Sequence, residues 1–345
     1  MYYIVFISLL FFSILEVASN KKYPVIFHVI YVVMTCMAAF RYGQLTDYFA
    51  YEYFYDNPIR IEKDAAFSYL LEFFRIHGLS YILFVIFSAV FTMGLSYPFL
   101  SIVCKYSFVS FLIYYVFIFL ILSMSAVRQG MALAVLLLAF MFLLRERRVI
   151  YCILIILGSL LHLSLLAAIP IAFIYKRKIF NNEKIIYTAV GILTLFALVT
   201  PDLTEYLPSS FLDRSIGSYQ DSRFTQILLR FLLILPVLYI KPPYNTLGYY
   251  ARSIVITGYC MYCVFAFSSL IAGRLEFYYR IFLCLFASYL VSFLKINQLK
   301  KTILGMLIII HIVLFFKNIN SFISQGNYGN NITVLNFPYI SIFDK

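Results

Sequence analysis

Arg41, Arg128, Arg230, Arg274 and Arg280 each stand beside or inside an apolar run. An ionisable side chain at membrane depth is costly, so its presence points to function. A guanidinium presents a planar fork of donors, keeps its proton, and grips phosphate oxygens two at a time. Several forks at one membrane face suit a lipid pyrophosphate whose tail stays in the bilayer. They hold the anion and stabilise the charge that grows on it as it leaves. An anionic transported solute would suit them equally. Arg214 and Arg223, in a polar stretch, are secondary members of the same set. Asp47 follows Arg41 in R-Y-G-Q-L-T-D and is a candidate general base for a sugar hydroxyl. His162, in L-H-L-S-L, is a second candidate base or a donor to phosphate. Tyr48, Tyr51, Tyr53 and Tyr55 either stack on sugar faces or belong to an interfacial aromatic belt.

The chain that must position these groups has 345 residues, 63% hydrophobic and 12% charged. Soluble domains carry roughly 25% charged residues, so there is too little charge here for a hydrophilic shell. That excludes a soluble globular enzyme, a disordered chain and a secreted disulfide scaffold. The apolar stretches are continuous and do not alternate, which argues against a membrane β-barrel. An all-α polytopic membrane protein remains. The net charge of +12 does not signal nucleic acid, because the basic residues sit in short clusters between apolar runs. The six cysteines lie in or beside apolar runs, and Cys260-x-x-Cys263 has no flanking polar ligands, so neither a disulfide framework nor a metal site is expected.

A spanning helix needs about 20 mostly apolar residues. The runs give about twelve spans, plus or minus two: 1–18, 23–40, 79–104, 107–126, 128–144, 149–162, 164–175, 185–200, 225–240, 254–272, 277–294 and 302–316. Residues 1–345 thus read as a single transmembrane domain, with 1–18 retained as the first span because it has no basic n-region or cleavage site. If the loop after that span is cytoplasmic, the cytoplasmic loops hold 15 basic residues and 2 acidic ones, and the other side holds 11 and 12. Lys and Arg are retained on the cytoplasmic side. The loops at 41–77 and 201–223 and the tail at 318–345 therefore face outward, and in the first of them 67–77 reads either as an interfacial amphipathic helix or as the entry to the third span. Chemistry is expected on that outer face.

The pieces around these residues resemble the EpsG-type membrane polysaccharide polymerases, relatives in role of the O-antigen (Wzy-like) polymerases. They are R-Y-G-Q-L-T-D-Y-F-A-Y-E-Y-F from Arg41, S-A-V-R-Q-G-M-A-L-A from Ser125, L-H-L-S-L-L-A-A-I-P from Leu161, G-R-L-E-F-Y-Y-R-I from Gly273 and F-P-Y-I-S-I-F from Phe337. The resemblance implies a GT-C-like architecture in a bacterial cytoplasmic membrane. It also implies a membrane glycosyltransferase that moves a glycan from one undecaprenyl pyrophosphate to the non-reducing end of a second lipid-linked unit. Donor and acceptor would both be undecaprenyl-pyrophosphate-linked glycans, with a chain-length regulator and a flippase as protein partners and no nucleic acid. The product would be an O-antigen, a capsule or an exopolysaccharide. The energy would come from the glycosyl-pyrophosphate bond, so no cofactor is expected, in keeping with the absence of a phosphate-cradling Gly-rich loop.

Two other readings stay open. A flippase or transporter of lipid-linked oligosaccharide should carry charges deep in several spans, whereas Arg230 is the clear mid-span charge here. A ligase that moves finished glycan to another acceptor would use the same residue types.

Overall fold

A computed structural model describes residues 1–44, 47–57, 64–201, 203, 223–293, 297–324, 327–328, 332–333 and 339–344. The described chain is helical. In order it forms α1 (Tyr2–Ser19), α2 (Pro24–Ala39), α3 (Tyr48–Asp56), α4 (Ala65–Ile76), α5 (Tyr81–Pro98), α6 (Ser107–Tyr114), α7 (Val127–Leu144), α8 (Arg148–Ser159), α9 (Pro170–Ile174), α10 (Glu183–Val199), α11 (Arg223–Tyr239), α12 (Leu247–Val264), α13 (Ser269–Arg280), α14 (Phe282–Phe293) and α15 (Asn297–Ser324). A two-residue antiparallel pair, Asn327–Tyr328 with Ile332–Thr333, is the exception to the helical pattern in named elements.

Tyr2–Ser19, Tyr81–Val103 and Val127–Leu144 are long and apolar enough to cross a membrane, and seven shorter apolar helices of 10–17 residues accompany them among the described residues. This is a membrane protein by its helices. Most expected spans overlap a helix, and the departures have local causes. The run 164–175 becomes a 3-10 turn, Leu163–Ala168, followed by α9, which opens on Pro170. The expected spans 254–272 and 277–294 are three helices instead of two. Ser268 caps a new helix by accepting from the Ile271 N–H at 3.5 Å, so the chain turns inside what had read as one apolar run.

Contacts divide the chain into two compact units, Met1–Leu166 with Ala287–Lys345, and Ala167–Phe286. In the first unit, α4 is amphipathic. Phe67, Leu71 and Phe74 fall on one face and are buried, at the 3.6-residue period of a helix. They pack in a cluster with Tyr48 and Tyr51 of α3, Tyr81, Phe84 and Val85 of α5, and Val127 and Met131 of α7. The helix expected at 67–77 thus has a buried apolar face, while Tyr69, Phe73 and Ile76 on it are exposed. Gly130 lets α7 close on the turn before it: a Cβ there would lie 2.9 Å from the Leu122 carbonyl oxygen.

In the second unit α12 and α13 pack without a spacer. A Cβ on Gly258 would overlap the Cβ of Tyr279, so only glycine admits this approach. The Tyr279 hydroxyl then donates to the Ala167 carbonyl.

Candidate active site

Asp64 is the N-cap residue of α4, yet its side chain makes no cap hydrogen bond. The carboxylate is spent elsewhere. Arg128 Nη1 donates to its Oδ2 at 2.7 Å, His162 Nδ1 lies 3.3 Å from the same oxygen, and the Leu163 N–H donates to Oδ1 at 3.1 Å. The Ala66 N–H donates to the Leu160 carbonyl, which ties the start of α4 to the end of α8 and holds the segments together. Asp64 is 3% exposed. Burial pushes its carboxyl up, but the His162 hydrogen bond, the Arg128 charge and the Leu163 N–H outweigh burial and hold it below the usual carboxylate range.

Arg128 enters the same network from the second position of α7. Its Nε donates to the Tyr51 hydroxyl at 3.0 Å, and that hydroxyl donates to Asp47 Oδ2 at 3.0 Å. The guanidinium also lies 5.4 Å from the centre of the Tyr51 ring and 6.0 Å from that of Phe67. Tyr51 is buried, which raises its phenol above the ordinary value. Asp47, Tyr51, Arg128, Asp64 and His162 are therefore one connected system drawn from α3, the start of α4, the start of α7 and the turn after α8.

Arg41 belongs to the same unit but has a different setting. It is 2% exposed, donates from Nη1 to the Ala38 carbonyl, and has the neutral phenols of Tyr81, Tyr48, Tyr339 and Tyr2 around it. Its backbone bridges Ser341, the Tyr42 N–H donates to Ile340, and the Ile342 N–H donates to Phe40. The tail segment 339–344 thus straps over it.

The second unit holds Arg230, Arg274 and Arg280. Arg230 Nε donates to Glu276 Oε2 at 2.7 Å, and Arg280 Nη1 lies 3.8 Å from the same oxygen, one helical turn along α13. Arg230 stacks 4.1 Å from the centre of the Tyr262 ring and Arg280 4.3 Å from that of Phe277. With Tyr259 and Gly258 these three charged residues line a narrow cavity. Among the described residues the two guanidiniums share this carboxylate. Arg274 is half-buried on the same helix.

Of the expected site residues, the structure brings Asp47, Arg128 and His162 into one network and Arg230 and Arg280 into another. Arg214 lies outside the described residues, and Arg223 is described only as the first residue of α11. Two further acids, Glu276 and Asp64, join these networks. Glu276 carried a signal, its i,i+4 spacing to Arg280 in E-F-Y-Y-R. Asp64 carried none beyond that of a helix cap.

The family model of the EpsG family matches residues 24–339. No curated protein and no solved structure matches the chain.

Proposed function

The chain belongs to the EpsG family, and on that premise we propose that it polymerises undecaprenyl-pyrophosphate-linked oligosaccharide repeat units into a surface polysaccharide at the outer face of the bacterial cytoplasmic membrane. In this reading about twelve helical segments form a GT-C-like bundle, and both charged networks face away from the cytoplasm. An acceptor hydroxyl loses its proton to a base. Its oxygen bonds to the anomeric carbon of the donor glycan, the bond from that carbon to the pyrophosphate oxygen breaks, and undecaprenyl pyrophosphate leaves with the electron pair. Asp47 and His162 are the candidate bases. Arg230 and Arg280, with Arg274 nearby in sequence, are the candidate holders of the departing pyrophosphate, joined by Arg41 and Arg128 and, as secondary members, by Arg214 and Arg223.

One observation carries the reading. A carboxylate, an imidazole and a guanidinium meet in the network around Asp64, which has the parts for proton transfer and a cation for an anionic substrate. The substrate arrives through a flippase, and a chain-length regulator sets when growth stops.

The length distribution of surface glycan in a deletion strain tests it. A product of one repeat unit supports polymerisation. Lipid-linked units trapped inside the cell would make the protein a flippase, and full-length polymer left on its carrier would make it a ligase.

A further inference from the structure

We infer that His162 is the general base of the glycosyl transfer and that Asp64 is the residue that positions it. The inference rests on the polymerase reading and decides between the two bases that reading leaves open. It starts from how one carboxylate is shared. Asp64 Oδ2 faces the Nδ1 edge of the His162 ring at 3.3 Å, and Oδ1 accepts from the N–H of Leu163, the next residue, at 3.1 Å. The same carboxylate therefore fixes both the ring and the backbone that carries it. An ionised carboxylate can only accept, and Arg128, 2.7 Å from Oδ2, favours the ionised form. A carboxylate at Nδ1 selects the tautomer with its proton on Nδ1 and its lone pair on Nε2. Nε2 is then the basic atom, on the edge of the ring away from Asp64. The side chain of His162 is 11% exposed, so it is not sealed off.

Asp47 is placed differently. Its carboxylate accepts from the Tyr51 hydroxyl, which itself accepts from Arg128. It closes the far end of the network and fixes Tyr51 and, through it, Arg128. In the transfer step the acceptor hydroxyl gives its proton to His162 Nε2. The resulting imidazolium is stabilised by Asp64, which keeps its charge throughout. After the pyrophosphate has left, the proton passes to solvent and the neutral ring is restored.

The test is polymer formed per folded protein as a function of pH. Purified full-length protein in liposomes is given lipid-linked repeat units extracted from the deletion strain. Wild type, His162→Gln, Asp64→Asn, Asp64→Glu and Asp47→Asn are compared. Asp64 faces the ring, Arg128 sits on the same carboxylate oxygen, and Asp47 is reached through Tyr51. His162→Gln should lower turnover by about 10²–10⁴-fold, the usual contribution of a positioned base. Asp64→Asn should lower kcat by at least about tenfold and move the acid limb of the profile to lower pH, because the imidazolium loses its anionic neighbour. Asp64→Glu, which keeps the charge, should recover part of the rate with the limb where wild type has it. Asp47→Asn should slow turnover without moving the limb. Near-normal turnover in His162→Gln, or an acid limb that stays in place in Asp64→Asn, overturns the assignment while wild type still makes polymer. Wild type that makes no polymer overturns the polymerase reading itself. If Asp64→Asn does not fold, an acid limb displaced in Asp64→Glu overturns the assignment, and one kept in place with a reduced rate supports it.

Discussion

Arg128 and Asp64 stand 64 positions apart in the chain and 2.7 Å apart in space. Asp64 precedes a helix whose apolar face is buried, and Arg128 opens a helix that is mostly buried. Their meeting is thus set by packing of the segments that carry them, and the ion pair records whether that packing is intact. Removing one partner takes from the other its nearest opposite charge, leaving Asp64 only His162 and the Leu163 N–H and moving Arg128 onto Tyr51 and Asp47. Arg128→Ala and Asp64→Ala should each destabilise the protein by roughly 3–5 kcal/mol. The double variant should lose less than the two losses added together, because each single loss already includes breaking the same pair. Thermal unfolding in detergent of the two single variants and the double one reads this directly. Strictly additive losses would show that the pair is not coupled.

The same carboxylate predicts how stability depends on pH. Asp64 is held below its ordinary value in the folded state. A depressed folded value means that the group stabilises the fold above its unfolded pKa of about 3.9, and that this stability is lost as pH falls through the folded value. The contribution of Asp64 should therefore persist from neutral pH down to the ordinary carboxylate range and decline below it. Difference melting curves of wild type and Asp64→Asn between neutral pH and the acid limit should converge only at the acid end. A difference that already shrinks near neutrality would contradict the assignment of the shift to Asp64.

Gly258 and Gly130 should be intolerant of a single added methyl. At Gly258 a Cβ overlaps that of Tyr279, and at Gly130 it meets the Leu122 backbone, which cannot move aside as a flexible side chain would. Gly258→Ala and Gly130→Ala are expected to cost about 1–3 kcal/mol through overpacking. Gly94→Ala is a control, since nothing lies within 4 Å of its added carbon. Membrane abundance and melting temperature of the three variants check this. Equal behaviour of all three would count against the close helix approaches.

Lysine should not replace the arginines of the second unit. Arg230 uses its Nε on Glu276 while its plane stacks on Tyr262. Lysine keeps the charge but has neither the fork nor the stacking plane. Arg230→Lys and Arg280→Lys should therefore shorten surface glycan nearly as much as the alanine variants do. Near-normal polymer length in both lysine variants would mean that charge alone suffices there.

The helical character and most helix positions were legible in the sequence, because long apolar runs have few alternatives to a helix in a bilayer. Boundaries failed where a short-range signal outranked hydropathy. Ser268 starts a new helix inside an apolar run, and Pro170 follows a 3-10 turn that no periodicity announces. Single arginines stood out against an apolar background. Their partners did not, since an acid in a polar loop looks like any other. Asp64 was hidden because its partners come from the start of α7 and the turn after α8, and only the packing of α4 against its neighbours brings them within reach. Sequence reading also treated the five arginines as one set, whereas Arg128 shares its network with two carboxylates and Arg230 and Arg280 share one carboxylate between them.

The strap over Arg41 has a consequence for how the protein is made. The Tyr339 hydroxyl reaches the Met37 carbonyl across 302 positions of chain. A ribosome adding about 5–20 residues per second needs roughly 15–60 s to cover that distance. Throughout that interval the nascent protein carries a guanidinium whose folded seat is incomplete, because the segment that finally encloses it has not yet been synthesised. Closure of this corner thus waits on synthesis of residues 339–344, and a ribosome that stalls before residue 339 leaves Arg41 without that cover.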